Sequence, residues 1–102
     1  MNVLVTGGAG FIGQHLCRAL YARGDHVRVL DNFDDAYDPS LKQAPPFAEL
    51  VRGDVCDPVV VSQCLQDIDG VCHLAARAGV RESIENPEPY GRVNVGGTIT
   101  LL

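Results

Sequence analysis

A glycine-rich turn near the N-terminus constrains the fold of this chain more than any other feature. The segment Gly8-Ala9-Gly10-Phe11-Ile12-Gly13 has the spacing G-x-G-x-x-G, and together with Gly7 it also contains G-x-x-G-x-x-G. It follows an apolar run, Asn2 to Val5, that predicts a buried parallel strand, and it precedes apolar residues at helical spacing. In this context glycines permit a tight turn, a close backbone approach to a pyrophosphate and close packing of the helix. The motif therefore predicts a dinucleotide site on a parallel sheet.

An acidic residue follows the glycines at the distance that such a site requires. Val27, Val29 and Leu30 predict a second strand, and Asp31 ends it, 18 residues after Gly13. A carboxylate in this place can accept hydrogen bonds from ribose hydroxyls and would repel a 2′-phosphate. No arginine follows Asp31 to bind such a phosphate, so the pattern favours NAD over NADP. The alternative is a tight strand-to-helix turn with a solvated Asp31.

The remaining periodicities complete an alternating order of strands and helices. Phe47 to Val51 predicts a third strand, Asp57 and Pro58 predict the N-cap and first residue of a second helix, and Val71 to Ala75 predicts a fourth strand. We therefore expect an α/β fold with a Rossmann-type parallel sheet, the first half of a doubly wound sheet with strand order 3-2-1-4.

The C-terminal segment gives a weaker signal. Gly91, Gly96 and Gly97 each cost roughly 1 kcal/mol relative to alanine inside a helix, so propensity alone does not predict one there. The apolar C-terminal residues have no cap and no polar tail. We therefore expect residues 1–102 to form one NAD-binding domain that is incomplete.

Composition excludes several classes of function. Lys and Arg number 8 against 13 Asp and Glu, and the net charge of −5 argues against a nucleic-acid partner. The sequence contains no apolar run of the ~18 residues that a membrane span needs. Cys17, Cys56, Cys64 and Cys72 form no Cys-x-x-Cys pair, which favours free thiols in a reducing cytoplasm. We expect no metal site, and we expect His73 to be a hydrogen-bonded core imidazole rather than a catalytic base.

Several motifs, in order along nearly the whole chain, resemble those of the extended short-chain dehydrogenase/reductase superfamily, which includes the NAD-dependent epimerases and dehydratases. The matching segments are Thr6 to Gly13, Leu30-Asp31-Asn32, Gly53-Asp54-Val55, His73-Leu74-Ala75-Ala76, and Asn94 with Gly97-Thr98. Loop residues are most similar to the UDP-glucuronate 4-epimerases; they are Asp31-Asn32-Phe33, Tyr37-Asp38-Pro39, Ala78-Gly79-Val80-Arg81, Ser83, Asn86-Pro87 and Tyr90.

The resemblance implies a set of residues for the cofactor. They are Gly7, Gly10, Phe11, Ile12, Gly13, Asp31, Asn32, Asp54, Val55, Leu74, Ala75, Ala76 and Asn94. Residue type alone would make Asp54 an ordinary turn-capping residue, whereas the resemblance puts it at the adenine. Arg77 and Arg81 follow the fourth strand, where they could meet a pyrophosphate or an acidic sugar, or remain solvated. The resemblance also makes the glycine-rich C-terminal segment helical.

The implied chemistry is a transient hydride transfer between NAD and C4 of a UDP-sugar. In the superfamily a Tyr and a Lys four residues later move the proton, and this sequence has no such pair, since its one lysine is Lys42. We therefore assign no catalytic residue, expect no turnover by this chain alone and interpret it as part of a larger enzyme. A non-catalytic dinucleotide-binding module, or part of a 4,6-dehydratase or a decarboxylase, are the alternatives, with a methyltransferase-type fold more distant. The expected partners are a nucleotide-sugar and, through the unpaired edge of the fourth strand, a second copy of the chain.

Overall fold

Four parallel strands form one sheet in the order β3-β2-β1-β4, in a computed structural model that describes residues 1–33, 45–77 and 80–102, and all their side chains but those of 80–82. The strands are β1 (Asn2–Thr6), β2 (His26–Asp31), β3 (Glu49–Arg52) and β4 (Gly70–His73). The helices are α1 (Phe11–Arg23), α2 (Pro58–Cys64), α3 (Val80–Glu85), α4 (Glu88–Tyr90) and α5 (Gly97–Leu101), and a π-helical segment (Gly91–Gly96) joins the last two. The predicted α/β fold and strand order are confirmed.

The sheet buries one apolar layer on each face because successive residues of a strand point to opposite sides. One layer joins the sheet to α1 and consists of Val3, Val5, Cys17, Leu20, Val27 and Val29. The other joins it to α2 and the C-terminal helices, and consists of Leu4, Leu30, Val55, Val61, Cys64 and Val93. The carboxyl ends of β1, β2 and β4 therefore lie between two helical layers.

Capping residues lie at the end of α1 and at the start of α2. Gly24 ends α1 in the left-handed conformation at φ 98°, which a glycine adopts without strain. Asp57 precedes Pro58, and its carboxylate accepts the backbone N–H of Val59 at 3.0 Å, the predicted N-cap of α2. These two ends were predictable because capping depends on neighbouring residues.

Two predicted strands have different bounds in the structure. Phe47 belongs to a turn before β3, where its ring stacks on Tyr21 of α1 at a centroid distance of 4.3 Å. Leu74 and Ala75 lie beyond β4, since β1 ends at Thr6 and the Thr6 hydroxyl accepts their N–H groups at 3.0 and 3.1 Å. In both places a tertiary contact replaces the predicted pairing.

The C-terminal segment is helical despite its glycines, as the family resemblance implied. Gly97 is buried, and a Cβ on it would lie 2.6 Å from Cγ1 of Val55. Thr98 and Thr100 donate to the backbone carbonyls of Asn94 and Gly96 at 2.7 and 2.9 Å. Close packing on the second core layer therefore favours a helix that propensity alone did not predict.

The four cysteines are free thiols in the structure. Burial, with a smaller contribution from Cys72, raises the pKa of Cys17 to about 11. Burial also raises the pKa of Cys56 and of Cys64, so these three thiols stay protonated at neutral pH. Within the described ranges, the structure has no helix that is both long and apolar enough to cross a membrane.

Candidate functional site

A cleft of about 750 Å³ opens at the carboxyl ends of the strands. Such clefts at the strand ends are where open α/β sheets bind their ligands, and the volume is typical of small-molecule sites. All of the cofactor residues implied by the sequence except Asn94 border this cleft, and Arg77 borders it as well. The fold thus brings together residues from β1, α1, β2, the loop after β3 and the segment after β4.

The glycine turn forms the bottom of the cleft. Gly7 has φ 71°, a left-handed conformation that favours glycine, and its N–H donates to the carbonyl of Leu30 at 2.8 Å. A Cβ on Gly7 would lie 2.9 Å from the backbone nitrogen of Ala75. A Cβ on Gly13 would lie 2.6 Å from Cα of Gly8, closer than real Cβ atoms approach. Both glycines therefore allow close backbone packing.

Gly10 differs from these two glycines. It precedes α1 with φ −73° and ψ 176°, and a Cβ on it would meet just the carbonyl oxygen of Gly7, at 3.3 Å. Gly10 makes no side-chain cap, and the first turn of α1 contains no acidic residue. The N–H groups at this helix start can donate hydrogen bonds to an anion in the cleft, and the positive end of the helix dipole favours its negative charge.

Apolar side chains border the mouth of the cleft next to this helix start. Phe11 and Ile12 are 80% and 68% exposed, although both are large apolar residues. The Phe11 ring lies edge-on to His15, at a centroid distance of 5.0 Å. A ligand that enters the cleft would cover part of this apolar surface.

Asp31 holds a fixed carboxylate at the end of β2. One oxygen accepts the N–H of Ala9 at 3.1 Å and the other accepts the N–H of Phe33 at 2.8 Å. Asp31 is buried, yet it borders the cleft. A carboxylate offers about four lone-pair sites, so two remain for the hydroxyls of a ligand.

Asp54 caps a turn, as residue type alone predicts, and it also borders the cleft. One carboxylate oxygen accepts the N–H of Cys56 at 2.8 Å, the turn that residue type favoured, and the other accepts from Arg92 at 3.3 Å. Asp54 also borders the cleft with Val55, which is buried in the second core layer. The salt bridge to Arg92 ties this edge of the cleft to the C-terminal helices.

Asn94 lies behind the wall of the cleft and does not border it. Its side-chain oxygen accepts the N–H of Arg77 at 2.8 Å, and its side-chain nitrogen donates to the Arg77 carbonyl at 3.1 Å. The amide therefore holds the backbone of the segment after β4. Asn94 follows Arg77 by 17 residues in the sequence. Through these two hydrogen bonds it can influence the shape of the cleft although it does not border it.

The two candidate arginines differ in what the structure describes. The Arg77 guanidinium lies 5.6 Å from the ring centroid of Tyr90, while Arg77 borders the cleft. The Arg81 side chain lies outside the described residues, as do Tyr37-Asp38-Pro39 and Lys42. Within the described part of the chain, no group of three or more His, Cys, Asp or Glu residues could hold a metal ion.

The cleft also contains residues that sequence reasoning missed, namely Gln14, His15, Leu30, Gly53 and Val93. Helical spacing could have found two of them, because Gln14 and His15 lie three and four residues after Phe11, on the same face of α1. Val93 belongs to a helix that propensity did not predict, so no local signal identified it.

Comparison with known proteins gives one family. The model of the NAD-dependent epimerase/dehydratase family matches residues 3–102. UDP-glucuronate 4-epimerase 3 of Arabidopsis thaliana is 45% identical over 109 residues, which cover 99% of this chain and 25% of that protein. The chain thus spans about a quarter of the length of this relative.

Solved structures agree in fold. The UDP-glucose 4-epimerase of Thermus thermophilus, crystallised with NAD, superposes with a TM-score of 0.85 at 39% identity, over 99% of this chain and 32% of that one. MoeE5, in complex with UDP-glucuronic acid and NAD, has a TM-score of 0.80 at 38% identity, over 99% of this chain and 31% of that one.

Proposed function

The chain belongs to the NAD-dependent epimerase/dehydratase family, and from that premise we propose that it is the NAD-binding part of a nucleotide-sugar 4-epimerase. One observation carries the proposal: a single cleft at the strand ends collects the glycine turn, the start of α1, Asp31 and the segment after β4. We also propose that residues 1–102 form a Rossmann-type NAD-binding domain and that this domain is incomplete.

We propose that the pyrophosphate of NAD binds beside Gly10, at the N-terminus of α1. Three features support this placement: the missing Cβ of Gly10, the absence of a side-chain cap, and the absence of an acidic residue in the first turn. Phe11 and Ile12 would lose exposed apolar surface against the bound molecule, and Gly7 and Gly13 hold the turn in place.

We propose that Asp31 and Asp54 bind the adenosine half of NAD. The remaining lone pairs of the Asp31 carboxylate would accept the ribose hydroxyls, next to Asn32, and a 2′-phosphate would meet a like charge. Asp54 and Val55 would border the adenine. Selectivity for NAD over NADP is therefore part of the proposal.

We propose that the segment after β4 binds the other half of NAD and also contacts the substrate. Leu74, Ala75 and Ala76 would pass beside the ribose and pyrophosphate, with Asn94 holding the segment from behind. When bound, NAD supplies a hydride acceptor and donor. Arg77, at the end of this wall, would orient the charged part of a nucleotide-sugar, and Arg81 is proposed with it.

UDP-glucuronate is the proposed sugar. The Arabidopsis thaliana relative is named as a UDP-glucuronate 4-epimerase, and MoeE5 was crystallised with UDP-glucuronic acid. These 102 residues contain no Tyr-x-x-x-Lys. We therefore expect the chain to bind NAD without converting UDP-glucuronate to UDP-galacturonate, and conversion by the purified chain would contradict that part of the proposal.

The four free thiols support a reducing, cytoplasmic setting. Val95 and Ile99 are 61% and 66% exposed and lie four residues apart, on one face of the C-terminal helices, which supports assembly with a second copy. We propose both properties for the protein.

The test is a calorimetric titration of the chain with NAD, in parallel with two matched variants. Gly10→Val adds a side chain at the proposed pyrophosphate position and should lower the NAD affinity by roughly tenfold or more, since backbone approach is blocked. Gly70→Val is the control, because it makes the same substitution at the start of β4, where a Cβ would meet nothing within 4 Å. Equal NAD affinities for Gly10→Val and the wild type would refute the placement.

A further inference from the structure

A continuous chain of hydrogen bonds passes through His73, which the proposed function leaves without a role. The Thr6 hydroxyl lies 2.6 Å from Nδ1 of His73, and the Thr98 hydroxyl lies 3.1 Å from its Nε2. Thr6 is fully buried at the end of β1, His73 is half-buried in β4, and Thr98 is on α5. The imidazole therefore connects β1 and the edge strand β4 to the C-terminal helix α5.

The Thr98 end of this chain fixes one ring nitrogen. Thr98 donates its hydroxyl hydrogen to the backbone carbonyl of Asn94 at 2.7 Å, and a carbonyl oxygen can just accept. The hydroxyl of Thr98 has no second hydrogen, so towards His73 it must accept. Nε2 of His73 therefore carries a hydrogen and donates it.

The Thr6 end fixes the other nitrogen independently. The Thr6 hydroxyl oxygen accepts the N–H of Ala75 at 3.1 Å and that of Leu74 at 3.0 Å, the latter shared with the Thr6 backbone carbonyl. Its lone pairs are thus occupied, and its hydrogen points to Nδ1 of His73. Nδ1 must accept, so both ends require the same neutral form of the ring.

We propose that His73 is a positioning residue for the dinucleotide cleft, and that it acts as the neutral imidazole protonated at Nε2. In this form it links the Thr6 hydroxyl, which holds Leu74 and Ala75 of the cleft wall, to Thr98 and the carbonyl of Asn94. Asn94 in turn holds the backbone of Arg77. The proposal rests on the proposed NAD site for its effect on binding, but not for the state of the ring.

A proton on Nδ1 would break this arrangement. It would place an N–H against the Thr6 oxygen, whose lone pairs are already used. Burial lowers the pKa of His73 in the same sense. The groove beside the ring is formed by Val71, Thr98, Leu101 and Leu102, and none of these four residues has an ionisable side chain.

The first test is the form of the ring, read from imidazole nitrogen chemical shifts in the ¹⁵N-labelled chain. At neutral pH, His73 should show one protonated nitrogen, Nε2, and one unprotonated nitrogen, Nδ1. The exposed His15 and His26 serve as references within the same molecule. A hydrogen on Nδ1, or an interconverting mixture of the two neutral forms, would overturn the proposal.

The second test uses a matched pair of variants at Thr98. Thr98→Val keeps the shape but removes the hydroxyl, whereas Thr98→Ser keeps the hydroxyl. Loss of one linking hydrogen bond should lower the NAD affinity roughly three- to tenfold in Thr98→Val, with the affinity retained in Thr98→Ser. Burial lowers the pKa of His73 from its ordinary value of 6.5, so wild-type affinity should also fall as the pH drops below that value and His73 is protonated. This fall should be smaller in Thr98→Val.

Circular dichroism would show whether the Thr98 variants fold. Wild-type affinity and pH dependence in a folded Thr98→Val would overturn the positioning role. Failure of the wild-type chain to bind NAD would contradict the proposed function, and the ring nitrogen shifts would then decide the question of His73 alone.

Discussion

Replacement of Gly13 by alanine should destabilise the fold, although the same change stabilises most helices. Gly13 is in the first turn of α1, and its added Cβ would overlap the carbonyl oxygen of Gly7 and lie 2.6 and 2.9 Å from Cα and C of Gly8. All three are backbone atoms of a turn that is fixed by the Gly7 hydrogen bond to Leu30. A side-chain rotation therefore cannot relieve the overlap, and the helix must move away from the sheet.

The size of the effect follows from two opposing terms. Overpacking costs about 1–3 kcal/mol, and contact with rigid backbone puts Gly13→Ala near the upper end. Alanine regains about 1 kcal/mol of helix propensity over glycine, which leaves a net loss of roughly 2 kcal/mol. In a domain of this size that loss lowers the melting temperature by about 8–16 °C.

Thermal unfolding followed by circular dichroism measures the change directly. Gly91→Ala is the matched control, because Gly91 has helical angles of −63° and −44° and a Cβ on it would meet nothing within 4 Å. That variant should gain about 0.5–1 kcal/mol. A melting temperature of Gly13→Ala at or above that of the wild type would refute the account of the glycine turn.

Three further predictions concern carboxylates. Asp31→Ser should narrow the preference for NAD over NADP in parallel titrations, and equal affinities in the wild type would show that Asp31 is not the selective group. Asp57→Ala removes the N-cap of α2 and should lower the free energy of unfolding by about 1 kcal/mol in urea, whereas no change would contradict the cap. Hydrogen bonds from Arg23 and from the amino group of Met1 lower the pKa of the Asp25 carboxyl below 3.8. The stability that Asp25 contributes is therefore complete above that pH and is lost as the pH falls through the lowered pKa, so Asp25→Asn should show a flatter loss of stability in acid than the wild type.

The parts of the fold that sequence predicted are those that depend on near neighbours. The spacing of Gly7, Gly10 and Gly13 identified the turn, and Asp57 before Pro58 identified a helix start, because each acts within a few residues of itself. The strand order also followed, since a strand-helix alternation leaves few arrangements of a parallel sheet. Asp31 was placed correctly at the cleft for the same reason, as the residue that ends β2.

The parts that sequence did not predict depend on contacts between distant segments. Phe47 lies outside its predicted strand because its ring stacks on Tyr21. The C-terminal segment is helical because Gly97 packs against Val55. Neither partner is near in sequence, so neither propensity nor periodicity contains the information. The family resemblance did predict this helix. It reflects the structure that such long-range contacts produce, although it does not identify the contacts themselves.

The motif predicted the region in which Asn94 lies but not the contacts that it makes there. Its place in the motif predicted closeness to the cofactor, and the structure puts it next to the wall of the cleft, with both ends of its amide on the backbone of Arg77. Its carbonyl also ends the hydrogen-bond chain through Thr98 and His73 to Thr6. The segment after β4 is thus held from behind at two points, at Leu74 and Ala75 by Thr6 and at Arg77 by Asn94. The register of β1 with β4 ends at Thr6 and His73, and the Leu74 N–H still donates to the Thr6 carbonyl of β1 at 3.1 Å. For Ala75 and Arg77, the side chains of Thr6 and Asn94 supply the hydrogen bonds that a neighbouring strand supplies elsewhere in the sheet. The shape of the cleft therefore depends on residues that do not face it.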